Sequence, residues 1–292
     1  MHLLMCMFGI INTLELYPQI IHCKNETYMI SRKTYSDSRY IESWTTVVRQ
    51  LSNQYKLINE YNMQTSMSHN LAGLCMGDTI LFAGGQYRTF YRGFKQWSGL
   101  QYSTVKHISA YELERNTKYI NAPNCYEKRR TCLYCEFDGK MSIANYNRKL
   151  YFFARANLGA GVRWVQVTTF DNNTWSPYTL INIDTVDKST SSMYYIHVEK
   201  WNNTHYIGLY PSVFPASAGI FRSYSSNLLD WSSPELIVQQ KPKHGRVSMH
   251  PIGILHKKLV IFNKDQAFIN SVMISAVDVQ HCVNCIFTPL KF

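Results

Sequence analysis

Phe170-Asp171-Asn172-Asn173-Thr174-Trp175-Ser176-Pro177 and Ser225-Ser226-Asn227-Leu228-Leu229-Asp230-Trp231-Ser232-Ser233-Pro234 follow one plan. Each comes after an apolar run, turns through Asn and Asp, and reaches Trp-Ser. Each then leads into a second apolar run, Tyr178–Ile183 or Leu236–Val238. Asn and Asp bend a chain because their side chains bond the backbone two residues on. The stretches therefore read as strand, tight turn, strand, with the Trp offering a large ring to pack between layers. Two looser copies lie upstream. One is Ser36-Asp37-Ser38-Arg39-Tyr40-Ile41-Glu42-Ser43-Trp44-Thr45, and the other is Gly93-Phe94-Lys95-Gln96-Trp97-Ser98. Recurrence of one supersecondary unit is the mark of a repeat architecture.

The rest of the chain agrees. Thr79–Ala83, Lys149–Ala154, Trp164–Phe170, Met193–Val198, His205–Tyr210 and Lys258–Asn263 are short runs rich in Val, Ile, Tyr and Phe. Asn, Asp, Gly, Ser or Pro separate them, the pattern of many short antiparallel strands. Helical signals are scarce. Aromatic residues make up 14 % of the 292 and charged residues only 17 %, which argues against disorder. Blades of four strands need about 40–50 residues each. The expectation is all-β: one β-propeller domain over residues 1–292, with four-stranded antiparallel blades. Five blades are preferred and six are the alternative.

The formal net charge of +11 suits an anionic partner, yet the basic residues are scattered; the densest run is Lys128-Arg129-Arg130. With no helix-turn-helix or zinc-finger spacing, nucleic acid is not expected as a partner. No run of about 18 apolar residues marks a membrane span. Residues 1–20 read either as a secretory signal or as a first strand. Asn25-Glu26-Thr27, Asn172-Asn173-Thr174 and Asn202-Asn203-Thr204 are glycosylation sequons. They lend slight support to the secretory pathway, and a virion-associated location is the companion expectation. Cys132/Cys135 and Cys282/Cys285 form two C-x-x-C pairs. Free thiols or a disulfide are favoured over zinc there, so no metal and no cofactor is expected.

The two Trp-Ser turns resemble the Asp-box turn of sialidases and the turn of invertase- and arabinanase-type glycosidases. They lack the Gly that the full Asp-box places between Asp and Trp. Cys135-Glu136-Phe137-Asp138-Gly139-Lys140-Met141-Ser142, Leu150–Asn157 and Gly161–Thr168 resemble glycosidase-like propellers seen in large viruses and algae. His69-Asn70-Leu71 with Gly84-Gly85 is similar to an earlier blade of that group. The resemblance implies a carbohydrate-active propeller, a glycoside hydrolase using paired carboxylates in a central pocket. A non-catalytic glycan-binding or attachment propeller is the second reading, because one fold hosts many functions.

Glycoside hydrolysis needs two carboxyl groups, one to protonate the leaving oxygen and one to act as nucleophile or base. Asp138 is the first candidate, with Glu136 two residues away on the same face of an extended segment. Glu199 closes the run Tyr194–Val198 and is the candidate acid, with aromatic neighbours to shift its proton affinity. Arg155, Arg163 and Arg246 are candidate grips for an anionic glycan, since a guanidinium meets a carboxylate bidentately. His69, Asn70 and His250 are candidate partners for sugar hydroxyls. Arg222 reads as a structural ion-pair arginine and Glu235 as a surface residue.

Overall fold

The computed structural model describes residues 14–34, 45–52, 57–63, 65, 67, 69–91, 94–126, 140–159, 161–242, 247–255, 258–263 and 274–278. They divide into two compact units, the first up to Ile120 together with Phe262, Asn263 and Ile274, the second from Asn121 to Ile261 together with residues 275–278.

The first unit holds two four-stranded sheets in which strands follow one another in chain order. One comprises β1 (Leu14–Cys23), β2 (Glu26–Thr34), β3 (Thr45–Leu51) and β4 (Leu57–Met63). The other comprises β5 (His69–Met76), β6 (Thr79–Tyr91), β7 (Phe94–Val105) and β8 (Lys118–Tyr119). Neighbours pair antiparallel throughout, as hairpins require. Ile21, Ile30, Val48, Leu71, Phe82 and Val105 face inward together and form the core. A disulfide joins Cys23 at the end of β1 to Cys75 in β5. A short helix, α1 (Ala110–Arg115), covers part of this core with Leu113. The Ser109 hydroxyl caps it by accepting from the Glu112 amide.

The second unit repeats the plan. Its first sheet runs β9 (Ser142–Tyr146), β10 (Lys149–Gly159), β11 (Val162–Asp171) and β12 (Thr174–Trp175), with β13 (Thr179–Leu180) also on β11. β14 (Asn182–Ile183) leaves that sheet. The next sheet has β15 (Ser192–Met193) and β16 (His197–Lys200) on β17 (Tyr206–Phe214), then β18 (Ser217–Ser225). β19 (Asp230–Trp231) crosses back to pair with β14, and β20 (Glu235–Gln239) completes the sheet. The last sheet has three strands, β21 (Met249–Leu255), β22 (Lys258–Asn263) and β23 (Ile274–Asp278); the end of β22 and the first residue of β23 belong to the first unit.

These sheets are the four-stranded antiparallel blades expected, but their number is not. Among the described residues four sheets reach blade size, not five, and β21–β23 stops at three strands. Dividing the length by an average blade misjudged how much chain each one uses. β6 and β7 take 13 and 12 residues, and residues 106–117 go into turns and α1 rather than into a full strand.

Both clear Trp-Ser repeats form the turns expected of them. Asn172 and Asn173 hold φ of 47° and 62°, the left-handed pair of a type I′ turn, between the paired Asp171 and Thr174. At the second repeat Asn227 Oδ1 accepts from the amides of Leu229 and Asp230. Of the looser copies, residues 36–44 lie outside the described residues. Trp97 sits within strand β7, paired with Tyr87, so that copy is not the same turn.

Candidate functional site

The site is built in the second unit, starting from the β10–β11 hairpin. Its register pairs Arg155 with Val165 and Asn157 with Arg163. Opposed residues share a face, so both arginines project to the same side of the sheet. Arg155 is buried and Arg163 half-buried. A guanidinium in such surroundings is costly unless other groups compensate its charge.

Tyr194 is one such group. Arg155 and Arg163 bring their guanidinium carbons to 5.6 and 5.5 Å from its ring centroid. That is within cation–π range for both. The sequence Met193–Val198 reads as one continuous strand, but the structure breaks it. β15 ends with Met193 opposite Ser212, and β16 begins with His197 opposite Leu209. Residues 194–196 thus face only Tyr210 and Pro211. Proline has no N–H to give to the ladder, and the extra residue bulges out. This local fault turns Tyr194 and Tyr195 out of the regular pleat.

Tyr195 organises a second group of side chains. Its hydroxyl donates to the Pro251 carbonyl at 3.1 Å, and Lys140 Nζ donates to the same oxygen at 3.2 Å. Lys140 also lies over the Tyr195 ring, 5.3 Å from its centroid. His250 stacks on that ring at 5.6 Å with planes 12° apart, and meets Tyr194 edge-on. Burial lowers the Lys140 ammonium to about 7, against the opposing attraction of Glu199.

Glu199 is half-buried at the end of β16. One oxygen meets His197 Nε2 at 2.7 Å and accepts from the Ile254 amide at 2.9 Å. His197 and Glu199 share a face because they are two residues apart in a strand. Ser142 on β9 fixes the strand itself by accepting from the Val198 amide at 3.0 Å. A carboxylate seated by two donors, a near-neutral buried amine, and a platform of Tyr and His flanked by two arginines thus occupy one region.

Of the residues proposed from sequence, the structure brings Arg155, Arg163 and His250 together around the tyrosines. Glu199 lies against the same strand β21 that carries His250, through the Ile254 amide. The carboxylate is seated by His197 and Ile254; no aromatic contact to it is found among the described residues. Asp138, Glu136 and Arg246 lie outside the described residues, as do Cys132, Cys135, Cys282 and Cys285. Asn70 is buried on β5 in the first unit with φ of 55°, and His69 precedes it on that strand. Arg222 forms the expected structural pair, its Nε and Nη2 donating to Glu235 at 2.9 and 2.7 Å across β18 and β20. Lys140, Tyr194, Tyr195 and His197 were not proposed. Pro211 inside an apolar run was the available signal for the bulge at Tyr194 and Tyr195, which leaves Tyr194 half-buried and Tyr195 buried.

Successive four-stranded antiparallel blades define a β-propeller fold. The solved structures agree on the fold. A Dyadobacter fermentans protein of unknown function is similar with a TM-score of 0.59 at 10 % identity, covering 96 % of this chain and 82 % of that one. A GH43_1 enzyme from Xanthomonas citri matches with a TM-score of 0.56 at 7 % identity, over 94 % and 91 %. An α-L-arabinanase of Penicillium chrysogenum, solved with arabinobiose, matches with a TM-score of 0.53 at 12 % identity, over 90 % and 78 %. No protein-family profile and no curated protein matches the sequence.

Proposed function

We propose that the chain is a carbohydrate-active propeller that hydrolyses glycosidic bonds, with saccharide lying against the half-buried Tyr194 ring, which the buried Tyr195 and His250 support from beneath. The observation that carries this reading is Glu199, a carboxylate held from two sides yet still reached by solvent, with 23 % of its side chain exposed. Flat rings with a polar tip suit the apolar face and hydroxyl edge of a sugar. In this reading Glu199 serves as nucleophile or base, and Asp138, or Glu136 beside it, supplies the proton. His197 and the Ile254 amide orient Glu199. Arabinosides come first as substrates because the Penicillium arabinanase shares the fold.

The test is turnover on fluorogenic arabinosides, fructosides and sialosides by the wild type, Glu199→Gln and Asp138→Asn. Hydrolysis by the wild type, with each variant reduced by about 10²–10⁴-fold while circular dichroism is unchanged, is the expected result. Wild-type turnover unaffected by Glu199→Gln would remove the assignment of that residue.

A second reading, glycan binding without hydrolysis, is favoured by one specific feature. Two guanidinium cations, Arg155 and Arg163, accompany a single described carboxylate in the cluster. No turnover on any glycoside, together with glycan-array binding that Tyr194→Ala weakens, would select it.

A further inference from the structure

The three sequons fall at equivalent kinds of place. Asn25 lies in the turn between β1 and β2, Asn172 in the type I′ turn between β11 and β12, and Asn202 in the turn between β16 and β17. All three asparagines are exposed. The turns are short. Asn202 Oδ1 accepts from the amides of Thr204 and His205 at 2.9 and 2.8 Å, and from the Thr204 hydroxyl at 3.0 Å. Its amide nitrogen, the atom a glycan would join, takes part in none of these bonds. Asn70 and Asn157, both buried, are not in sequons.

A second, independent observation points the same way. Cys23 and Cys75 are joined by a disulfide, and Cys125 is disulfide-bonded too. Structural disulfides persist in oxidising compartments such as the lumen of the secretory pathway. That is also where sequon asparagines meet the glycosylation machinery.

We propose that Asn25, Asn172 and Asn202 carry N-linked glycans and that the chain matures in the secretory pathway. The donor is an oligosaccharide on a lipid pyrophosphate. The bond between the sugar C1 and the pyrophosphate oxygen breaks, and a bond from C1 to the asparagine Nδ2 forms. The lipid pyrophosphate leaves, and Nδ2 gives up one proton. Each glycan then projects from a hairpin tip, where it displaces no packed side chain.

The experiment is intact mass spectrometry of the full chain purified from its natural source, before and after peptide:N-glycosidase F. Peptide mapping in ¹⁸O-water follows. The expected result is a loss of mass on treatment, with labelled aspartate at positions 25, 172 and 202. Alkylation before reduction should leave Cys23 and Cys75 unlabelled. An unchanged intact mass would overturn the proposal. An unlabelled asparagine at one position would overturn the assignment of that site.

Discussion

The two Trp-Ser turns of the second unit share their chemistry and differ in what their tryptophans hold. In both, the serine closes the turn from either side. The Ser176 amide donates to Thr169 O at 2.9 Å while Ser176 Oγ accepts from the Thr169 amide at 2.9 Å. Ser232 does the same with Tyr224, at 2.8 and 3.0 Å. Trp175, half-buried, lies on Phe170 and Phe152 of its own sheet, at 4.6 and 5.2 Å. Trp231, 2 % exposed, lies with its ring against Gly208 of β17 and near Phe153 of the preceding sheet, and its backbone pairs with β14. A Cβ on Gly208 would come within 2.7 Å of the Trp231 ring, so that position must lack a side chain. The lesson is that one local motif can serve as an intrablade cover or as an interblade bolt. The extra residue in the second turn, where Leu228 takes φ of 68°, accompanies the second role.

The contrast breaks most sharply at the tryptophans. Trp231→Ala should cost about 3–5 kcal/mol, because it empties a packed position between two sheets. Urea unfolding measures it. A cost under about 1 kcal/mol would mean that the bolt is not one. Comparisons among variants must hold pH fixed, because Lys140 sets the baseline. Its folded pKa lies at about 7, well below the unfolded value, so the unfolded chain binds more protons between pH 7 and about 10. Stability should therefore rise with pH across that window, by about 2 kcal/mol from pH 7 to 9. Below pH 7 both states are protonated and the lower stability levels off. Lys140→Met should flatten the slope.

Trp175→Ala should cost less than its counterpart, about 1–2 kcal/mol, since part of its surface already meets water. Equal losses for the two tryptophans would erase the distinction drawn here. Ser176→Ala and Ser232→Ala should each cost about 1 kcal/mol, the worth of a hydrogen bond, and by similar amounts. That equality sharpens the point that the turns match locally and diverge only in packing.

Part of the candidate site was legible for the same local reasons. Arg155 and Arg163 stand out because a charged residue interrupts an apolar strand, and alternation places them on one face. His250 and Glu199 were also nominated, although the partners of Glu199 were not foreseen. Lys140 looks like an ordinary residue after an Asp-Gly turn until Pro251 and Tyr195, far along the chain, close over it. Tyr194 and Tyr195 were hidden among 21 tyrosines.

By itself, then, the amino-acid sequence determined most of the strands, the two clear Trp-Ser turns and the all-β class, because alternation and Asx chemistry act over a few neighbouring residues. It did not determine the number of full blades, since turns and α1 draw on the same length of chain. Only the tertiary structure decided which tryptophan bridges two sheets, that Cys23 meets Cys75, and that Lys140, Tyr195, His250 and Glu199 share one region. Those contacts join residues more than 50 positions apart, and nothing in either segment alone specifies its partner.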